Sequence, residues 1–388
     1  MSTSPDATRS HKPVVYRHFH RIAWLAAALA LCVIVFGAFV RLSNAGLSCP
    51  DWPTCYGRAT WPGAATEAAD HVATAIRAVE PHKAWREQVH RMLAGTLGVL
   101  VLTLALLAAR RRRFGILQVL VAAGLVAGAI PLYMRGQHGA AGTLAALGEA
   151  ILLFAAARWS NIDHARAAVL TLAVIVFQAL LGMWTVTWLL KPIVVMGHLL
   201  GGLLTFSLLT WMAWRATDLP IRLADARRLR VLLLIGLSLL VLQIALGGWT
   251  SANYAALACG NDFLRCVGQW WPRADFHEGF VLWRGIGVDY EGGVLDGEAR
   301  IAIQLAHRIV AVLVFGHLLG VAIRLLRTPG MHAWGFTLGA LVIAQVSLGI
   351  ANVKLGLPLH VAVAHNAGAA LLLFVLVSLL ARIRPPEA

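Results

Sequence analysis

Glu87-Gln88-Val89-His90-Arg91 opens an apolar run that closes on Arg110-Arg111-Arg112-Arg113. The run approaches the roughly 20 residues that a membrane-crossing helix needs. It sets a carboxylate and an imidazole three residues apart, one helical turn, at the edge of that span. Gln304-Leu305-Ala306-His307-Arg308 opens another apolar run in the same way, with Gln where the first copy has Glu. Ionisable side chains inside membrane spans are uncommon and usually functional.

Composition agrees with a polytopic membrane protein: 59% of the 388 residues are hydrophobic and 13% are charged. The formal charge of +15 is not a nucleic-acid signature, because the basic residues gather in the loops of one membrane face. Ten spans are expected, near 22–42, 89–109, 115–132, 140–158, 168–188, 193–213, 231–251, 301–323, 334–352 and 359–381. With a cytoplasmic N-terminal tail at 1–21, the inner loops hold Arg110 to Arg113, Arg158, Arg166, the Arg215 to Arg230 stretch, Arg324, Arg327, Arg382 and Arg384. The long segments 43–88 and 252–300 then lie outside.

Each long outer segment carries two close cysteines, Cys49 with Cys55 and Cys259 with Cys266. Such pairs suggest disulfides in an oxidising compartment, with zinc as the rival reading. Cys32, alone in an apolar run, reads as an inert core residue. The first span follows Arg17 and Arg21 with no small-residue cleavage site after it, so a retained helix is expected.

Self-comparison finds a repeat. Gly37 to Cys49 is twelve residues, and so is Gly247 to Cys259. Gln178-x-x-x-Gly182 matches Gln345-x-x-x-Gly349, and each Gln precedes a histidine, His198 or His365, by 20 residues. Each half therefore has four matched spans with a histidine on the second and fourth. An even number of spans gives both halves one orientation, as in a parallel repeat. His90 to His198 is 108 residues and His307 to His365 only 58. The excess of 50 suits two spans and their turns, and falls at 114–166. The expected fold is all-α: an N-terminal half at 22–213 interrupted by an inserted hairpin at 114–166, a linker at 214–230, and a C-terminal half at 231–381.

At about 1.5 Å per residue, His198 lies about 9 Å in from Pro192 and His365 about 10 Å in from Pro358. Four histidines at matched positions and similar depth point to axial ligation of two haem irons inside four-helix bundles. Gly197, Gly201, Gly202 and Gly368 lie nearby, and would let a flat macrocycle approach the backbone. Arg91 and Arg308 are placed to pair haem propionates, or else to contact the outer helix ends. His11, His18, His20, His164 and His332 fall in inner segments, and His71, His82, His138 and His277 in outer loops. His317 and His360 have no repeat mate and read as partnered by neighbours. Glu87 can accept a proton or stabilise a developing cation, and Gln304 cannot. That difference puts turnover in the first half; the plainer reading is a helix-start carboxylate favoured by the dipole.

These stretches resemble the haem A synthase family in its proteobacterial form: NAGLSCPDWPTCYG (44–57), EQVHRMLAGTLG (87–98), FQALLGMWTVT (177–187), VVMGHLLGG (194–202), LQIALGGWTSANYAALAC (242–259), GQWWP (268–272), EARIAIQLAHR (298–308) and VAVAHNAGAALLL (361–373). The likeness covers about 22–113 and 167–382, and departs from the family's usual eight spans at the hairpin. The resemblance implies oxidation of the C8 methyl of haem O to a formyl group. It implies a substrate haem between His90 and His198, and a permanent haem b between His307 and His365. Glu87 would act at the reacting methyl, and the outer cysteines would pair as Cys49–Cys55 and Cys259–Cys266. Trp270 and Trp271 would form an interfacial belt or a lid. It also implies a bacterial inner membrane, periplasmic cysteine loops, and links to haem O synthase and haem-copper oxidase assembly. Two other classes stay open on the residues alone. One is a di-haem b quinol-oxidising subunit; the other is a parallel-repeat transporter with histidine proton relays.

Overall fold

The computed structural model of the chain describes residues 18–68 and 78–386. His11 and His71 lie outside the described residues. Ten helices among those described are long and apolar enough to cross a membrane. They are α1 (Phe19–Leu42), α2 (Pro81–Ala109), α3 (Gly115–Met134), α4 (His138–Arg158), α5 (Ala165–Thr187), α6 (Pro192–Thr217), α7 (Ala226–Ala252), α9 (Gly297–Leu326), α10 (His332–Lys354) and α11 (Leu359–Arg382). A single turn, α8 (Phe276–Gly279), sits in the second long outer segment.

Local chemistry sets the helix ends. Pro81 and Pro192 occupy first-turn positions, where a missing N–H costs nothing. Asp296 caps α9 by accepting from the Ala299 amide at 2.8 Å. Gly136, at φ +75°, makes the tight turn between α3 and α4 that a side chain would strain.

Two rings of helices result. α1, α2, α5 and α6 pack in a closed cycle, and so do α7, α9, α10 and α11. Each ring has its own apolar core: Leu104, Leu172 and Leu209 belong to the first, and Leu233, Leu318 and Leu376 to the second. The rings join where α6 meets α7 and α11, and where α1 meets α11. A bare Gly248 allows α7 to press on α6, since a Cβ there would lie 2.9 Å from Leu199. Arg41, at the end of α1, donates to the Ser251 carbonyl in the last turn of α7 and to the Tyr254 hydroxyl just beyond it.

The α3–α4 hairpin packs on the outside of the first ring, against α2 and α5. Its base is held by Arg112, which pairs with Asp163 at 2.7 Å. Leu120, Phe154, Val312 and Phe336 are exposed on outward helix faces, as expected of surfaces covered by lipid. Cys32 is exposed on α1, contrary to the expectation of a core position: its stretch is apolar on all sides, so composition does not reveal which face turns inward. At the end opposite the cysteine loops, β1 (Ile221–Arg222) pairs in parallel with β2 (Ile383–Arg384), tying the linker to the C-terminus.

Candidate functional site: two imidazole couples beneath cysteine loops

His90 on α2 stands across the first ring from His198 on α6, and His307 on α9 stands across the second ring from His365 on α11. Each imidazole is backed by a glycine on the helix before its own. A Cβ at Gly37 would lie 2.7 Å from Cε1 of His90, and one at Gly182 would lie 3.3 Å from Cε1 of His198. The matching distances are 3.2 Å from Gly247 to His307 and 3.1 Å from Gly349 to His365. The sequence repeat contains all four glycines, but their meaning becomes plain only when the helices pack. They are the room that turns each imidazole into the bundle.

The glycines singled out from sequence have another use. The Gln178 amide fills the space where a Gly201 side chain would stand, and Gln345 fills that of Gly368. Gly197 faces Leu181, and Gly202 faces Ile34.

The cysteine loops close over the outer ends of both couples. Cys49–Cys55 and Cys259–Cys266 are bonded. Arg91 donates to the carbonyls of Asp51 at 2.7 Å and Thr54 at 2.8 Å. Arg308 does the same for Asp262 at 2.7 Å and Arg265 at 3.1 Å. Both guanidinium groups thus clamp the loops. Asp51 accepts from the Thr54 hydroxyl, from the Gly57 amide at 2.8 Å and from the Tyr56 amide at 2.6 Å. Burial alone would push its pKa up; these hydrogen bonds outweigh burial and hold it below the usual value.

Glu87 and Gln304 both touch their loops, but with opposite polarity. Glu87 is 4% exposed. Its Oε2 accepts from the Ser48 and Cys49 amides, each at 2.8 Å, and Oε1 pairs with Arg91 at 2.5 Å. Gln304 instead donates to the Ala256 carbonyl at 3.1 Å. The first half therefore carries a fixed carboxylate beside its imidazole couple, and the second carries an amide.

Of the other described histidines, His317 has the neighbour expected of it, while His360, also expected to be partnered, is exposed. His317 reaches the Leu232 carbonyl at 2.9 Å, and His332 the Leu326 carbonyl at 2.7 Å. His164 is buried between Phe19 and Trp211. His360 and His277 are exposed. Trp270 and Trp271 are also exposed, on the second cysteine loop.

Two half-buried imidazoles from helices that stand across one ring, each backed by a glycine recess, form a nitrogen donor set that would suit a haem iron. The family model for COX15-CtaA, described as cytochrome oxidase assembly protein, matches residues 20–135 and 137–377. The chain belongs to the COX15-CtaA family. The match runs through α3 and α4 as well as both rings. A heme A synthase of Shewanella oneidensis is 38% identical over 370 residues, covering 92% of this chain and 96% of the relative. A heme A synthase of Rhizorhabdus wittichii is 25% identical over 364 residues, covering 90% and 89%.

Proposed function

We propose that this chain is a haem A synthase, an oxidoreductase that converts haem O to haem A. The observation that carries the reading is a pair of imidazole couples in repeat register, in a chain 38% identical over 92% of its length to a protein of that name. Each of two hydroxylations at C8 inserts one oxygen atom and consumes a two-electron oxidant supplied from outside the chain, and the resulting geminal diol loses water to leave the formyl group.

His90 and His198 hold the substrate haem, and His307 and His365 hold haem b. Haem b supplies reversible one-electron exchange when bound there. Glu87 supports this division, since its carboxylate stands only in the first half. Held by two amides and Arg91, it needs no reorganisation to face positive charge developing on the methyl. Arg91 and Arg308 keep the cysteine loops over the outer edges of the two sites, and any contact they made with haem propionates would come in addition to that clamp.

The protein sits in the bacterial inner membrane with its N-terminus in the cytoplasm and its cysteine loops in the periplasm. Its partners are haem O synthase, which makes the substrate, and the assembling haem-copper oxidase, which takes the product. Haem O carries a long apolar tail, and a bundle open to lipid accepts it sideways without passing it through water.

Co-expression with a haem O synthase, followed by pigment extraction, tests the reading. Haem A should appear only when both proteins are present. A chain that binds two equivalent haems b and yields no haem A would be an electron carrier instead.

A further inference from the structure

The two halves differ one helical turn before the glycines that back His90 and His307. Gln243 precedes Gly247 by four residues, and Val33 precedes Gly37 by four. The Gln243 amide nitrogen lies 3.1 Å from Nδ1 of His307, 3.3 Å from its Nε2 and 3.1 Å from its carbonyl oxygen. Oε1 of Gln243 is buried without a hydrogen-bond partner among the described residues. On the other ligand of that couple, Nδ1 of His365 donates to the Gln345 carbonyl at 3.1 Å. Both rings of the second half therefore have a polar neighbour at Nδ1.

The first half is looser. Val33 offers His90 no polar atom, and the buried Nδ1 of His90 is unpartnered among the described residues. The Gln178 carbonyl faces His198 as the Gln345 carbonyl faces His365, so the halves differ at Val33 and Gln243 rather than at the fourth-helix ligand.

We propose that Gln243 is a positioning residue that makes the second couple a retaining site, and that Val33 in the same place leaves the first couple able to exchange its haem. The inference rests on the reading of the four histidines as axial ligands. An imidazole bound to iron through Nε2 keeps its proton on Nδ1. A neighbour that accepts this proton fixes the ring and makes the ligating nitrogen more basic. The two ends of a glutamine amide interchange by a half-turn about its last bond. That half-turn gives up the bond from the amide nitrogen to the His307 carbonyl, and Oε1 of Gln243, otherwise partnerless, then accepts the proton of His307 when iron holds Nε2. Losing such an outer partner weakens metal binding by about 10- to 100-fold. A site that takes a substrate haem and gives up a product haem works with the weaker hold. A site that keeps its haem works with the stronger.

The test exchanges the two residues in full-length protein and reads haem transfer to a haem-scavenging acceptor protein. To watch one site at a time, Gln243→Val is measured beside His90→Ala, and Val33→Gln beside His307→Ala. Gln243→Val should speed loss of the second haem about tenfold and raise its midpoint potential. Gln243→Glu restores an acceptor, so it should recover retention and bring the potential below that of the wild type. Val33→Gln should slow loss of the first haem by a similar factor, and it keeps the test alive if Gln243→Val does not fold. Unchanged transfer rates in both single-site backgrounds would overturn the inference, as would Gln243→Glu losing haem as fast as Gln243→Val. A wild-type chain without bis-imidazole haem absorbance would overturn the ligand reading, and this inference with it.

Discussion

At the scale of single residues, Glu87 serves two ends at once. It anchors the first cysteine loop and is the only carboxylate beside either imidazole couple in the repeat positions. Glu87→Gln removes the charge but keeps one acceptor oxygen. Haem binding should survive, with a loop weakened by about 1–3 kcal/mol, while haem A formation falls by about 10²-fold or more. Haem A made at the normal rate by this variant would remove Glu87 from the chemistry. The Glu/Gln difference was legible in the sequence because the repeat put both residues in register. The acceptor role toward Ser48 and Cys49 was not, because backbone amides carry no sequence signal. The same limit hid the carbonyl clamps of Arg91 and Arg308. Asp51 gives a pH test in the first loop. Its folded pKa lies below the ordinary value of 3.8, so the bonds it accepts are fully present above that pH and are lost as pH falls through the folded value. Amide exchange at Tyr56 and Gly57 should stay slow at neutral pH and quicken only in that acid range. Protection that vanishes well above pH 4 would mean something else holds the loop.

At the scale of helices, the spans were readable because lipid demands long apolar runs, and the order of all ten follows from composition. Their ends were less so. α2 begins at Pro81, eight residues before the apolar run, since its first turns lie under the cysteine loop and are polar. The role of the four ring-backing glycines was hidden for a different reason: which helix neighbours which is a property of packing, not of any one stretch. Gly37 has the tightest of these contacts, and it is the best probe of them. Gly37→Ala would force the His90 ring or α1 itself to move, an overpacking cost of about 1–3 kcal/mol. The first-half haem should be lost or bound weakly, with the second-half haem unchanged. Gly98→Ala, on α2 with open space around its Cβ, is the control and should leave haem stoichiometry alone. Equal haem content in the two variants would show that the recess at Gly37 does not seat His90.

At the scale of the whole molecule, the repeat makes two imidazole couples of like geometry, and the proposed division of work between them rests on small departures from symmetry. The halves are also clamped together. Tyr290, from the outer segment of the second half, is buried against Leu47, Val186 and Leu190 of the first, and its amide donates to the Leu189 carbonyl at 3.1 Å. Lys191, at the head of α6, lies 3.3 Å from the centre of the Trp283 ring of that same segment. With the halves fixed against each other, removal of one ligand should act on its own site first. His307→Ala should strip the retained haem b from purified protein and stop haem A formation, because the first site then loses its electron path. His90→Ala should also stop haem A formation while leaving the retained haem in place, since the ligands proposed for it, His307 and His365, stand in the other ring. Pigment analysis of the two purified variants separates these outcomes. If His90→Ala loses the retained haem and His307→Ala keeps it, the two halves have the opposite assignment, and the Glu87 carboxylate then stands beside the resident haem, not the substrate.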